Sequence, residues 1–332
     1  MSKRLLGFCG CLAAAFFAIV TPAQAKLPKL VLAGPYAAVS NPLIHMVESG
    51  ALKDMAEVVE FRPWKDPDQL RLLTLDAKSE VDFVAMPTNV AANLYNRGVK
   101  LKLINVSTWG VLWLVSREPN LRTLADFKGK EIVMPFRADM PDIVFQTLAE
   151  KQGLDIKRDF KLRYVGTPLD AMQMMITRRA DHALLAEPAV SVALRKTKSF
   201  PISVIAPELY RSVDLQQEWG RVMQRPARIP QAGIVVLGKA LNNAALIEKF
   251  QKAYAASLDW CEKHADECGR LVASRVEMLT AEGVADSVRV DNAAFVTAQE
   301  ARPELEFFFG VLLAREPNLV GGKLPDADFY LK

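Results

Sequence analysis

From Lys26 to Leu237 short apolar runs alternate with amphipathic ones, and that alternation leaves few folds open. KLPKLVLAGP reads as a strand ending at Gly34-Pro35, and YAAVSNPLIHMVESGAL as a helix. Ser40 and Asn41 are good caps for that helix and Pro42 suits its first turn. Leu43, Ile44, Met46 and Val47 share one face. The pairing recurs with strand AEVVEFRPW and helix DPDQLRLLTLDAKS, opened by Asp66 or Asp68. Strand VDFVAMP, helix TNVAANLYNRG closed by Gly98, and strand KLKLINVSTWG follow. After GVLWLVSREP come a short helix over 124–127 broken at Gly129, strand EIVMP, and helix MPDIVFQTLAEKQGL, with Asp139 as cap and Gly153 as stop. KLRYVGTP, LDAMQMMITRRA, DHALLA, EPAVSVALRKT and FPISVIAP then continue as strand, helix, strand, helix, strand. This order predicts an α/β fold with mostly parallel sheets and helices on their faces. QAGIVVLGKAL is one more strand; beyond it the pattern is nearly all helical, through PELEFFFGVLL.

The first 25 residues stand apart. MSKRLLGFCGCLAAAFFAIVTPAQA has a basic start, an apolar middle from Leu5 to Val20, and Ala23-Gln24-Ala25, the plan of a secretory signal cleaved after Ala25. The apolar run is short for a membrane span, and Cys9 and Cys11 lack a lipoprotein context. A soluble exported protein is expected. Cleavage removes Lys3 and Arg4 and no acid, so the net charge falls from +4 to about +2. So small a charge excludes strong global attraction to nucleic acid or anionic lipid.

Cleavage leaves only Cys261 and Cys268. On one unbroken helix seven residues place them roughly 10 Å apart, beyond disulfide reach. Asp266 offers a break and a fresh cap that would let the chain fold back and bridge them. Both states stay open on sequence alone.

In open parallel sheets ligands gather beyond the carboxyl ends of strands. The strand ends here offer Tyr36, with Ser40 and Asn41 at the following helix; Pro87, Thr88 and Asn89; Thr108 and Trp109; Phe136, Arg137 and Asp139; Thr167; and Glu187. Small polar side chains and free N–H groups at helix starts suit an anionic or polar ligand. Each has a plainer role. Thr88, Asn89 and Thr167 serve equally as helix caps, Trp109 as core, and Arg137 as a surface partner of Asp139 or Asp142. Glu187 is harder to dismiss. It stands between the apolar runs ALLA and AVSVAL, and a buried carboxylate needs a partner, a ligand or water. Catalytic patterns are thin. His45, His182 and His264 lie far apart without metal-ligand spacing, and no nucleophile elbow, zinc-protease, Walker or dinucleotide motif is present. No cofactor and no metal is expected.

These stretches carry a resemblance. SNPLIHMVESGAL, VDFVAMPTNVAANLYNRGVKLKLI, LADFKGKEIVMP and DAMQMMITRRADHALLAEPAV, in that order and spacing, resemble periplasmic substrate-binding proteins of ABC importers. The group is the one associated with nitrate, taurine, alkanesulfonates and thiamine-pyrimidine precursors. The resemblance implies a two-lobe periplasmic-binding-protein fold of the type II kind, with the ligand cleft between the lobes. Lobe 1 would comprise 27–112 and 204–332, and lobe 2 residues 113–203. It implies a monomeric receptor, not embedded in the membrane, that hands a small molecule to an ABC permease. Glu187 would face the cleft, so Glu187→Ala should weaken binding with little change in folding. Where the group often has hydroxyl residues after its GKxIxxx strand, this chain has PFRADMPD. Arg137 there favours a carboxylate or sulfonate, and together with Glu187 a zwitterion. The alternatives are an enzyme on the same fold, like the pyrimidine-synthesising relatives, or a periplasmic ligand sensor.

Overall fold

The computed structural model describes residues 26–332 apart from Asp66, 76–79, Pro207, Glu277 and Asn292. The signal-like stretch therefore lies outside the described residues, as does Asp66. The chain opens with β1 (Leu27–Pro35), α1 (Asn41–Glu48), β2 (Ala56–Trp64), α2 (Pro67–Leu75), β3 (Phe83–Pro87), α3 (Thr88–Asn96) and β4 (Leu101–Thr108). A middle block follows with β5 (Leu112–Ser116), β6 (Glu131–Pro135), α4 (Met140–Lys151), α5 (Ile156–Asp159) and β7 (Lys161–Val165). It continues through α6 (Pro168–Ile176), β8 (His182–Ala186), α7 (Ala189–Lys198), α8 (Ile202–Ile205), β9 (Tyr210–Asp214) and α9 (Leu215–Met223). The return consists of β10 (Ala232–Leu237), α10 (Ala244–Lys263), α11 (Ala265–Ala273), α12 (Ala281–Val290), β11 (Ala293–Thr297) and α13 (Ala298–Arg315).

Among the described residues the strands form two sheets, ordered β11-β4-β10-β3-β1-β2 and β7-β6-β8-β5-β9. They are the α/β cores of two lobes. Leu30–Ala33 of β1 and Phe83–Met86 of β3 are buried residue after residue, as in strands covered on both faces. The sheets are mixed, which corrects the expectation of mostly parallel ones. β1 pairs in parallel with β2 and β3, and β6 with β7 and β8. However, β10 runs against both β3 and β4, and β5 against both β8 and β9. The reversed strands β5 and β10 are those through which the chain enters the second sheet and returns to the first.

Three further readings change. FPISVIAP was expected as a strand, but its centre is the single helical turn α8. β9, not this run, takes the place beside β5 at that side of the second sheet. Strands β9 and β11, missing from the sequence reading, are short and only partly buried, so their alternation is faint. The second sheet also runs past residue 203, because β9 pairs with β5 over Trp113–Asp214 to Ser116–Tyr210.

The elbow between α10 and α11 falls at His264, with Asp266 in the first turn of α11, and a Cys261–Cys268 disulfide closes it at a Cα–Cα distance of 5.1 Å. The α11–α12 hairpin then reaches the second lobe. At Gly283 a Cβ would lie 2.5 Å from Val192 Cγ2 of α7, and Asp286 pairs with Arg195. Only glycine admits so close a helix approach.

Candidate functional site

Two segments cross between the sheets, and their hydrogen bonds bind them into one hinge. Ile229 N donates to Trp109 O (2.8 Å), and Gln231 N to Thr108 O (2.9 Å). Side chains finish the ladder: Gln231 Oε1 accepts from Val111 N at 3.1 Å and Gln216 Oε1 from Leu112 N at 2.9 Å. Gly110 between them has φ +125°, and a Cβ there would stand 2.0 Å from Gln216 Cγ. No other residue type fits both the backbone angle and the space. Trp109 is therefore a structural member of the hinge. It is buried, its indole N–H donates to Ala294 O, and the Arg228 guanidinium covers its ring at 4.5 Å.

Glu187 leans on this hinge. Its N–H donates to Val111 O at 3.0 Å, and Pro188 follows through a cis peptide and precedes α7. The residue is 2% exposed, and its carboxylate is fully engaged. Oε1 accepts from Arg211 Nη2 (2.5 Å) and Nε (3.2 Å), while Oε2 accepts from Ser191 N (3.1 Å). Arg211 Nη2 also donates to Ser191 Oγ at 2.6 Å, and its guanidinium lies 5.6 Å from the Trp113 ring centroid. The acid at the joint of two apolar segments is thus a counter-ion. Its cation comes from β9, a strand absent from the sequence reading, so Arg211 was missed. The signal that could have found it is the rule that a buried carboxylate needs a cation on a neighbouring strand. Arg211 keeps 23% of its side chain exposed against 1% for Glu187, so the cation is the more accessible member of the pair.

The end of β6 is arranged differently. Phe136 and Ala138 adopt left-handed backbone angles, φ +56° and +58°, which turn the chain sharply before α4. Arg137 is exposed and lies over the Tyr164 ring at 5.3 Å. The ion pair expected with Asp139 or Asp142 does not form among the described residues. Asp142 is instead buried and accepts from Ala138 N, Gln146 Nε2 and Tyr164 Oη at 2.9, 2.6 and 3.2 Å. Burial, reinforced by the Asp142 charge and hydrogen bond, pushes the Tyr164 hydroxyl up to about 12. Arg137, Lys157, Tyr164 and Arg315 line an open hollow of about 570 Å³. Arg137 leans towards β7 and Glu187 towards β5 and β9, on the opposite side of β8. Among the described residues Glu187 pairs with Arg211 and Arg137 lies over Tyr164, so no contact joins the two groups from which a zwitterion pocket was expected.

The other strand ends, most of them in the first lobe, are engaged in different ways. Thr88 Oγ1 donates to Pro230 O at 2.6 Å and caps no helix. Asn89 is buried and its Nδ2 donates to Leu319 O at 3.5 Å; burial pushes up the carboxyl of Asp139, the cap of α4. Ser40 occupies the cap position of α1 without a capping bond, and its buried hydroxyl has no partner. A Cβ at Gly34 would come within 2.3 Å of that hydroxyl. Asn41 and Thr108 line a cavity of about 20 Å³ with Tyr254, Glu262 and Asp291, enough for one water. Tyr36 is half-buried against the core cluster that holds Val190 and Val192 of α7. Pro87 precedes α3, and Thr167 caps α6 by accepting from Asp170 N at 3.1 Å.

No family model and no curated relative matches the chain. Solved structures do. An ABC transporter structure from Parabacteroides distasonis aligns over 92% of this chain and 99% of its own, at 23% identity and a TM-score of 0.74. The periplasmic aliphatic sulphonate binding protein SsuA from Escherichia coli covers 92% of each chain at 14% identity and a TM-score of 0.69. The periplasmic nitrate-binding protein NrtA from Synechocystis PCC 6803 covers 89% of this chain and 84% of its own, at 15% identity and 0.63. The chain has the two-lobed fold of periplasmic binding proteins. The expected fold class is borne out across most of the chain.

Proposed function

We propose that the protein is a periplasmic solute-binding receptor that captures a small anionic organic molecule between its lobes and delivers it to an ABC permease. The observation that carries this reading is the Arg211 guanidinium. Glu187 and Ser191 fix its orientation, Trp113 backs it, and the Arg211 side chain stays 23% exposed beside the hinge. A guanidinium already oriented loses little freedom when it meets a carboxylate or sulfonate. SsuA is an aliphatic sulphonate binding protein and NrtA a nitrate-binding protein, and both of those ligands are anions. In this reading the lobes are 27–108 with 232–332, and 112–214. Tyr36, Asn41 and Asn89 form the opposing wall, and a ligand favours closure by its differential affinity for the closed state. The N-terminal pattern supports export, and the receptor acts as a monomer.

A thermal-shift screen of the protein from Lys26 onward tests this against ethanesulfonate, taurine, nitrate, bicarbonate, thiamine pyrimidines and aromatic carboxylates. At a hundred times Kd a ligand adds about 2.7 kcal/mol, a rise of a few degrees. Shifts confined to anions support the reading; shifts confined to cations or neutral molecules contradict it.

A further inference from the structure

Helix α7 joins two unlike places. Its N-terminal end holds Ser191 and abuts Glu187, and its last turn, about 15 Å away at 1.5 Å per residue, leads to the outer tip of the second lobe. At that tip Phe200, Val204 and Ile205 are 83%, 73% and 69% exposed. Ile202 turns inward against the core, so the single turn of α8 is anchored by one side chain and offers three apolar ones to solvent. Apolar groups this exposed and this close together mark a contact surface. Cations outnumber acids around it. Arg178 reaches the tip through Nη1 to Ile205 O at 3.4 Å, and Arg179 follows it in sequence. Lys196 and Lys198 close α7. Among the described residues only Lys198 of these four has a carboxylate partner, Glu208 at 3.9 Å. The nearby acid Asp181 is taken by Arg117.

We infer that this tip is a surface for resting on an anionic lipid membrane. Phe200, Val204 and Ile205 enter the headgroup boundary, and Arg178, Arg179 and Lys196 face the lipid phosphates. Apolar insertion beside uncompensated cations is the chemistry of interfacial membrane contact. The small net charge does not oppose it, because the positive excess is local. Contact at the far end of α7 leaves the hinge and Arg211 free. The inference stands whether or not the solute-binding reading is right.

Vesicle flotation tests it, using phosphatidylcholine with or without phosphatidylglycerol. The wild-type protein should float with the mixed vesicles, less with phosphatidylcholine alone, and be released by salt. F200E/I205E alters only exposed side chains and should cut the bound fraction about tenfold or more. R178E/R179E should abolish the preference for phosphatidylglycerol, and circular dichroism checks that both variants are folded. Equal binding to both lipids, or wild-type binding by folded F200E/I205E, overturns the proposal. Binding to native inner membranes that protease treatment removes, without binding to lipid vesicles, overturns it in favour of a membrane protein as partner.

Discussion

The ends of β8 and β6 are neighbours in the same sheet, and each carries a charged residue ahead of a helix, Glu187 at β8 and Arg137 at β6, where Asp139 caps the helix. They resolve that charge in opposite ways. Glu187 is buried, and a guanidinium and a backbone N–H take up its carboxylate. Arg137 is exposed, rests on a tyrosine ring and meets no carboxylate. The lesson is that a charge at a strand end does not identify a ligand group; its partner decides. At β8 the proposed function gives the partner, Arg211, the role that the acid suggested.

The largest expected effect lies in the β8 pair. Glu187→Ala leaves Arg211 partly buried without its counter-ion and should cost about 3–5 kcal/mol in denaturant unfolding. That is a larger cost than the little change in folding expected from the sequence. Glu187→Gln combined with Arg211→Met removes both charges and should recover most of the loss. Costs that simply add would break the comparison, since the two residues would then act separately. On the β6 side the buried acid is held by neutral donors, so Asp142→Asn should cost less, about 1–3 kcal/mol by the same measurement.

A smaller effect concerns pH. Burial holds His182, the first residue of β8, below its ordinary value of 6.5; burial and then the charge of His264 do the same for His45. The unfolded chain therefore takes up these protons first. Their contribution is fully present above pH 6.5 and is lost as the pH falls from there through the lower folded values. Melting temperatures across this range should decline, and His182→Asn should flatten part of the decline. The smallest effect is Arg137→Ala, expected within about 0.5 kcal/mol of wild type in the same unfolding assay. A larger loss would show that the exposed cation has a structural partner after all.

Much of the architecture was legible because it rests on local pattern. The boundaries of β2, β6 and α4 follow runs such as AEVVEFRPW and EIVMP, and the Asp139 cap bonds as its position suggests. Pairing direction was not legible, because nothing local in GVLWLVSREP records that β5 enters its sheet reversed. The same limit hid the site. Glu187 stood out through the cost of burying a charge, yet Arg211 lies 24 residues away on a strand with only half-buried alternation. Trp109 could be read as core or as a stacking wall, and only Ala294 O and Arg228, both distant in sequence, settle it as core. The elbow at His264 was foreseen in kind, two residues from its expected place at Asp266.

The central claim is that Glu187 serves to present Arg211 to an anion beside the hinge. Isothermal titration of ethanesulfonate, taurine and nitrate into the wild-type protein and into E187Q/R211M tests it most directly. The wild type should bind at least one of these anions, and the charge-free variant, folded by circular dichroism, should bind it about ten- to a hundredfold more weakly. A wild-type protein that binds none of them, or a folded variant that binds as tightly, would contradict the claim.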